Sequence, residues 1–255
     1  SSFFALFCAN WPRVVLIPVM VVAGVVGGGL WGLIPAFFKC RYGTNETLFT
    51  LMLNYIALYL IAFLRDGPWR DPANPGFAKI ATFEKNAQLP KVFGVHIGWI
   101  FALVLLAFVW VYLKYTKQGY EISVVGESQA TARYSGMNVK KIILRTMFMS
   151  GAIAGIAGMA QAAGSDATLA SGVAGGVGFT AIIVAWLGNL NPGSIFIISA
   201  LFSILEKGSS VVQSNFGLST DCADVLQGII LFFILGCEFF IRYKFVIRGK
   251  DGAGA

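Results

Sequence analysis

The sequence predicts an all-α membrane protein, a polytopic helix bundle that includes broken or half-helices. Three observations carry this. Of 255 residues, 57% are hydrophobic and only 12% charged, against about 25% charged in an average soluble domain. Long runs carry no charge, among them 25 residues from Val14 to Phe38 and 19 from Val95 to Leu113, and about 20 apolar residues suffice to cross a bilayer. Two shorter apolar pieces, 179–188 and 195–205, flank Asn189-Leu190-Asn191-Pro192-Gly193. Each is too short for a core of about 30 Å at about 1.5 Å per residue. Half-helices that meet against protein or a water-lined cavity accommodate them; one kinked helix is the alternative. This composition excludes a soluble enzyme, a nucleic-acid-binding domain and a disordered chain.

One transmembrane domain is expected over 1–255. Its first span covers about 14–38 and tolerates Pro18, Gly27-Gly28-Gly29, Gly32 and Pro35, because small residues let neighbouring helices approach closely. A polar turn, Lys39 to Asn45, leads to the second span, 47–64. The loop 65–94 holds Pro68, Pro72, Pro75 and Pro90 and is too polar for lipid. The third span is 95–113. The charged segment 114–141 precedes a fourth span, 142–163, that carries Gly151-x-x-x-Gly155, Gly158 and Ala162 at close-packing spacing. After the half-helices, a polar loop, Glu206 to Asp224, leads to a last span at 225–241. The chain opens Ser1-Ser2-Phe3-Phe4 with no Met and no basic leader, so the first part of a longer protein is expected to be missing.

The charge pattern orients the spans. Segments 39–46, 114–145 and 242–255 share one side by parity and hold twelve Lys and Arg, against seven on the other. The richer side is cytoplasmic by the positive-inside rule, which places 114–141 inside and 65–94 outside. The net charge of +7 then concerns topology and anionic lipid, and no nucleic acid is expected.

Catalytic and metal-binding patterns are missing. The sequence has no phosphate-binding G-x-x-x-x-G-K-[ST] motif and no Ser/His/Asp set, and His96 is its one histidine. Cys8, Cys40, Cys222 and Cys237 form no CxxC pair and read as small packing residues. No cofactor and no enzymatic activity are expected. The informative stretch is Gly119 to Asn138, where Ser128 can cap a short helix and Gly136 can end it in a left-handed turn. Such a helix suits a partner's groove; a solvated surface helix is the plainer reading. Within the spans, Asn54, Gln161, Trp186 and Asn189 are polar or amphipathic groups that could line a path. The same groups can also simply join helices.

Gly126-Glu127, Ala132-Arg133 and Gly136-Met137-Asn138 resemble the cytoplasmic coupling segment of ABC importer permeases of the branched-chain amino acid, ribose and nucleoside type. Trp31-Gly32-Leu33-Ile34-Pro35, Asn45-Glu46, Leu51 to Ala57, Gly178-Phe179-Thr180-Ala181-Ile182 and Leu187-Gly188-x-Leu190-Asn191-Pro192 are similar to the nucleoside and simple-sugar branch. Ser128-Gln129 and Asn189 depart from that pattern. The resemblance implies a type II ABC importer-like fold in a bacterial cytoplasmic (inner) membrane. It further implies cytoplasmic ATP-binding subunits, a second permease subunit in a homo- or heterodimer, and an extracytoplasmic substrate-binding protein. Gly126, Glu127, Ala132, Arg133 and Gly136 would couple to the ATPase, and a nucleoside or simple sugar would cross by alternating access. A secondary transporter or facilitator is the alternative, for which Glu238 is the one intramembrane acid. A non-transporting scaffold would have no need of the broken 179–205 segment.

Overall fold

In the computed structural model the uncharged runs form long helices. The structure describes residues 1–8, 11–71, 79–92, 95–170, 172–173, 175–216 and a few positions between 225 and 237. Among these residues five helices are long and apolar enough to cross a membrane. By contact the chain divides into two compact units, 1–175 and 176–255, where the sequence reading has one domain.

In the first unit a short helix, α1 (Ser2–Phe7), precedes α2 (Arg13–Tyr42). Thirty residues make α2 about 45 Å long, enough to cross a bilayer with both prolines inside the helix. It ends at Gly43 in the left-handed conformation, φ 67°, which relieves the steric conflict a side chain would meet there. The Asn45 side chain accepts from the Thr47 and Leu48 amides and starts α3 (Glu46–Asp66). Lys39 pairs with Glu46 across this turn, and Phe38 stacks on Phe49 at 4.8 Å. No residue of α3 is buried.

A small hairpin pairs β1 (Lys91–Val92) with β2 (Val95–His96) in antiparallel register. It occupies the start of the expected third span, so the membrane helix proper is α4 (Gly98–Tyr115). The charged segment is more ordered than a loop. It contains α5 (Lys117–Glu127) and α6 (Gln129–Tyr134) before α7 (Val139–Ala160) begins. Beyond Ala160 the helix widens into a π turn, Gln161–Asp166, and Ala167 then reverses the chain with φ 51°.

The second unit begins with α8 (Val177–Leu187), at about 16 Å too short to cross. The half-helix expected at 195–205 is instead the first half of α9 (Pro192–Phe216), a continuous 25-residue helix. Glu206 and Lys207, expected to open a polar loop, lie within it. Along α9 the hydroxyls of Ser199, Ser203 and Ser214 donate to carbonyls three or four residues back, which lets polar residues stay helical. Residues 217–224 of that loop, with Cys222, and most of the span expected at 225–241, with Glu238, lie outside the described residues.

The core of the first unit rests on α2 and α7. Gly24, Gly28 and Gly32 on α2 face Gly155, Gly151 and Met147 on α7 in antiparallel order. A Cβ at Gly24 would stand 3.0 Å from the Gly155 carbonyl oxygen, and one at Gly32 would stand 2.8 Å from that of Met147. A Cβ at Gly28, Gly151 or Gly155 would collide with the opposite backbone. The two helices therefore touch main chain to main chain, as small-xxx-small spacing permits. Leu16, Met20, Met159, Ala162 and Ala163 continue the contact toward one end, where Phe83, Ala87 and Leu89 of the long loop cover it.

These glycines are not equivalent. A Cβ at Gly158 meets nothing within 4 Å. Gly155→Val should force the helices apart at a cost of about 1–3 kcal/mol, and Gly158→Val should not. Melting of the purified variants in detergent checks this: the first should fall by roughly 2–4 °C per kcal/mol, the second should stay near the parent.

Candidate functional site

Two places are candidates for a functional site, a cavity beside the glycine contact and the segment α5–α6. The cavity has a volume of about 380 Å³, within the range of about 300–1,000 Å³ typical of small-molecule sites. Its walls come from Gly24, Gly27 and Gly28 of α2, Asn54, Ala57, Leu58 and Ile61 of α3, and Gly155, Gly158, Met159 and Ala162 of α7. Leu169, Ala170 and Val173 close one side, and Ser1 and Ser2 also border it. A Cβ at Gly27 or Gly158 would meet only open space. The glycines thus divide by position: one set lets the backbones touch, the other leaves volume empty beside them.

Of the four path candidates, Asn54 lines this cavity and brings an amide to an otherwise largely apolar wall. Gln161 lies just beyond the wall, where it opens the π turn and donates to Asp166 at 3.4 Å. Trp186 and Asn189 belong to the second unit. Trp186 is 63% exposed near the end of α8. Asn189 and Leu190 follow with φ of 49° and 56°, a left-handed pair that asparagine tolerates better than most residues.

In the α5–α6 segment Thr116 caps α5 by accepting from the Gly119 amide. Ser128 ends α5 and caps α6, its hydroxyl accepting from the Thr131 amide at 3.3 Å. Gly136, at φ 74°, terminates α6. A six-residue helix has too few internal bonds to persist alone, and burial of Ala132 holds it down. Its outer face is free: Gly126, Glu127 and Arg133 are exposed, and Tyr134 is 95% exposed. Glu127 and Arg133 form no ion pair among the described residues. The segment is tied to α7 by Glu121, whose carboxylate accepts from Arg145 at 3.0 Å with both side chains mostly buried.

Residues 1–235 match the model of the branched-chain amino acid transport system permease component. The chain belongs to this permease family. It is 31% identical over 257 residues to the glucose ABC transporter permease protein of Haloferax volcanii, covering 94% of this chain and 67% of that protein. It is 29% identical over 251 residues to the guanosine ABC transporter permease protein of Bacillus subtilis, covering 95% and 71%. To the nucleoside ABC transporter permease protein of Lactococcus lactis it is 31% identical over 245 residues, covering 92% and 67%. No solved structure matches the chain. The permease is a multi-pass membrane subunit of an ABC importer, and ATP hydrolysis lies in a separate subunit. An importer of this family also works with a substrate-binding protein.

Sequence reasoning missed three parts of the permease site. The Glu121–Arg145 tie joins residues 24 apart, and no spacing rule announces such a pair. The cavity wall at 169–173 lies in a Gly/Ala/Ser-rich stretch with no periodic signal. The division of glycines into packing and open positions needs the helix rotation, although their shared spacing was visible.

Proposed function

We propose that this permease carries a nucleoside, or failing that a simple sugar, through a path that includes the cavity beside α2 and α7. The observation that supports this best is Asn54 in the wall of that cavity, opposite glycine faces that leave room for a ring. An amide can donate to and accept from hydroxyls or a base edge, while the apolar wall accommodates a ring face. The relatives named for guanosine, nucleosides and glucose lie on the same side of the choice. Gln161, Trp186 and Asn189 are further candidates for the path.

The orientation proposed from charge puts α5 and α6 in the cytoplasm and the loop before β1 outside. The protein then sits in a cytoplasmic membrane, paired with a second permease subunit. Gly126, Glu127, Ala132, Arg133 and Gly136 belong to the segment that docks in the ATPase subunit. Ala132 anchors it and the free guanidinium of Arg133 supplies charge-assisted hydrogen bonds. Movement of that segment reaches α7 through Glu121 and Arg145, and so reaches the helix that lines the cavity.

Uptake in vesicles reconstituted with the ATPase and binding protein tests the substrate and the path. Labelled inosine should be displaced by guanosine and not by leucine. Gly158→Val should cut uptake at least about tenfold by filling the cavity, with melting unchanged, and Asn54→Leu should weaken uptake by about 1–3 kcal/mol of lost polar pairing. Leucine transport would overturn the substrate class; full uptake by Gly158→Val would overturn the path.

Arg133→Glu tests docking. The variant should insert and fold, because Arg133 is exposed and unpaired, and should lose transport-linked ATP hydrolysis. Normal uptake by this variant would remove Arg133 from the coupling surface.

A further inference from the structure

The cavity wall at Leu169, Ala170 and Val173 is irregular backbone, and its position is set from outside α7. The π turn is the starting point. Such turns leave the regular bonding pattern of a helix and recur at functional sites. Here the Ala163 carbonyl accepts from the Leu89 amide at 3.0 Å. Just past the turn, the Ala167 carbonyl accepts from the Phe83 amide at 2.7 Å. The Thr168 hydroxyl donates to the Ile80 carbonyl at 3.1 Å. Three bonds thus hold the stretch that enters the cavity wall, and all three come from residues 80–89.

That loop is itself braced. The Gln88 amide donates to the Phe83 carbonyl at 2.8 Å, and the Arg13 guanidinium donates to the Gln88 carbonyl at 2.6 and 3.2 Å. Ile80, Phe83, Ala87 and Leu89 are each less than 5% exposed, so the loop is pressed onto the helices. A continuous chain of hydrogen bonds runs from the first residue of α2, through Gln88 and Phe83, to Ala167, two residues before the cavity wall begins at Leu169.

We propose that residues 80–89 form a latch on Ala167 and Thr168, which lead into the cavity wall at Leu169 and Ala170, with Arg13, Gln88 and Thr168 as positioning residues, and that release of this latch opens the cavity on the loop side during transport. The inference rests on the cavity being part of the path. One net hydrogen bond shifts an equilibrium by about fivefold and three by about a hundredfold. That lies well inside the roughly ten-thousandfold bias with which a ligand can invert a two-state population. The latch is strong enough to hold at rest and weak enough to be released.

A reversible cross-link tests it. Ile80→Cys and Thr168→Cys are combined in a permease otherwise free of cysteine and reconstituted with its ATPase and binding protein. Oxidation should reduce uptake at least about tenfold, and reductant should restore it in the same vesicles, while the ATPase subunit stays bound throughout. Full uptake by quantitatively cross-linked permease would overturn the latch. Gly158→Val in the same preparation separates the two ideas. If it blocks uptake while the cross-link does not, the path stands and the latch falls. The hydroxyl is tested separately. Thr168→Val should raise ATP hydrolysis without loaded binding protein about fivefold, and Thr168→Ser should leave it at the parent rate. Equal rates in both variants would exclude Thr168 as a positioning residue.

Discussion

Everything in the first unit depends on how closely α2 and α7 approach. Within a bilayer the lipid tails are as apolar as the side chains, so helices gain little from hiding hydrocarbon from water. What remains is packing, and packing is tightest where no side chain intervenes. Gly24, Gly28, Gly151 and Gly155 remove the side chains at the closest points of contact, so the main chains meet directly there. The long core of Leu16, Met20 and Met159 extends the same seam. By contrast α3 buries no residue and is tied mainly at its first turn, by Asn45, Lys39–Glu46 and Phe38–Phe49. The cavity lies where the tight pair meets this loosely held helix.

The seam also gives α7 its place in the proposed cycle. One end of the helix carries Arg145, which holds Glu121 of α5. The middle carries the glycines that grip α2. The other end widens into the π turn, where the Ala163 carbonyl, and just beyond it that of Ala167, accept from the long loop. In the proposed cycle, a helix gripped along its middle moves as a lever with its partner and carries a displacement at α5–α6 to the cavity wall. The ion pair is mostly buried, and breaking one partner of such a pair leaves an uncompensated charge, which suits a tie that must not slip.

Much of this was legible in the sequence, and for identifiable reasons. The long apolar runs located α2, α3, α4 and α7, because a membrane span needs length and apolarity and little else. Ser128 and Gly136 marked the ends of α6, because capping chemistry is local. The parts that escaped depend on distant partners or on weak patterns. Residues 117–127 mix Gln118, Gly119, Glu121 and Ser123 with few apolar positions, and α5 was hidden in what looked like a loop. Glu206-Lys207-Gly208 resembled a helix end, yet α9 runs through it. Phe83, Ala87 and Leu89 sit among prolines and polar residues, and only the fold shows that they cover the seam. At the candidate site, Asn54 was identifiable as a polar group in a span, whereas the role of Gly27 and Gly158 as empty wall required knowledge of helix rotation.

The central claim is that Gly28 lies in a direct backbone contact while Gly27, its neighbour, faces open space. Spin labels at Val22 on α2 and Ala157 on α7, both exposed positions, report the separation of the two helices by pulsed electron paramagnetic resonance in lipid nanodiscs. A single narrow distance is expected, which Gly27→Val leaves in place and Gly28→Val lengthens. An unchanged distance in Gly28→Val, or an equal shift in both variants, would contradict it.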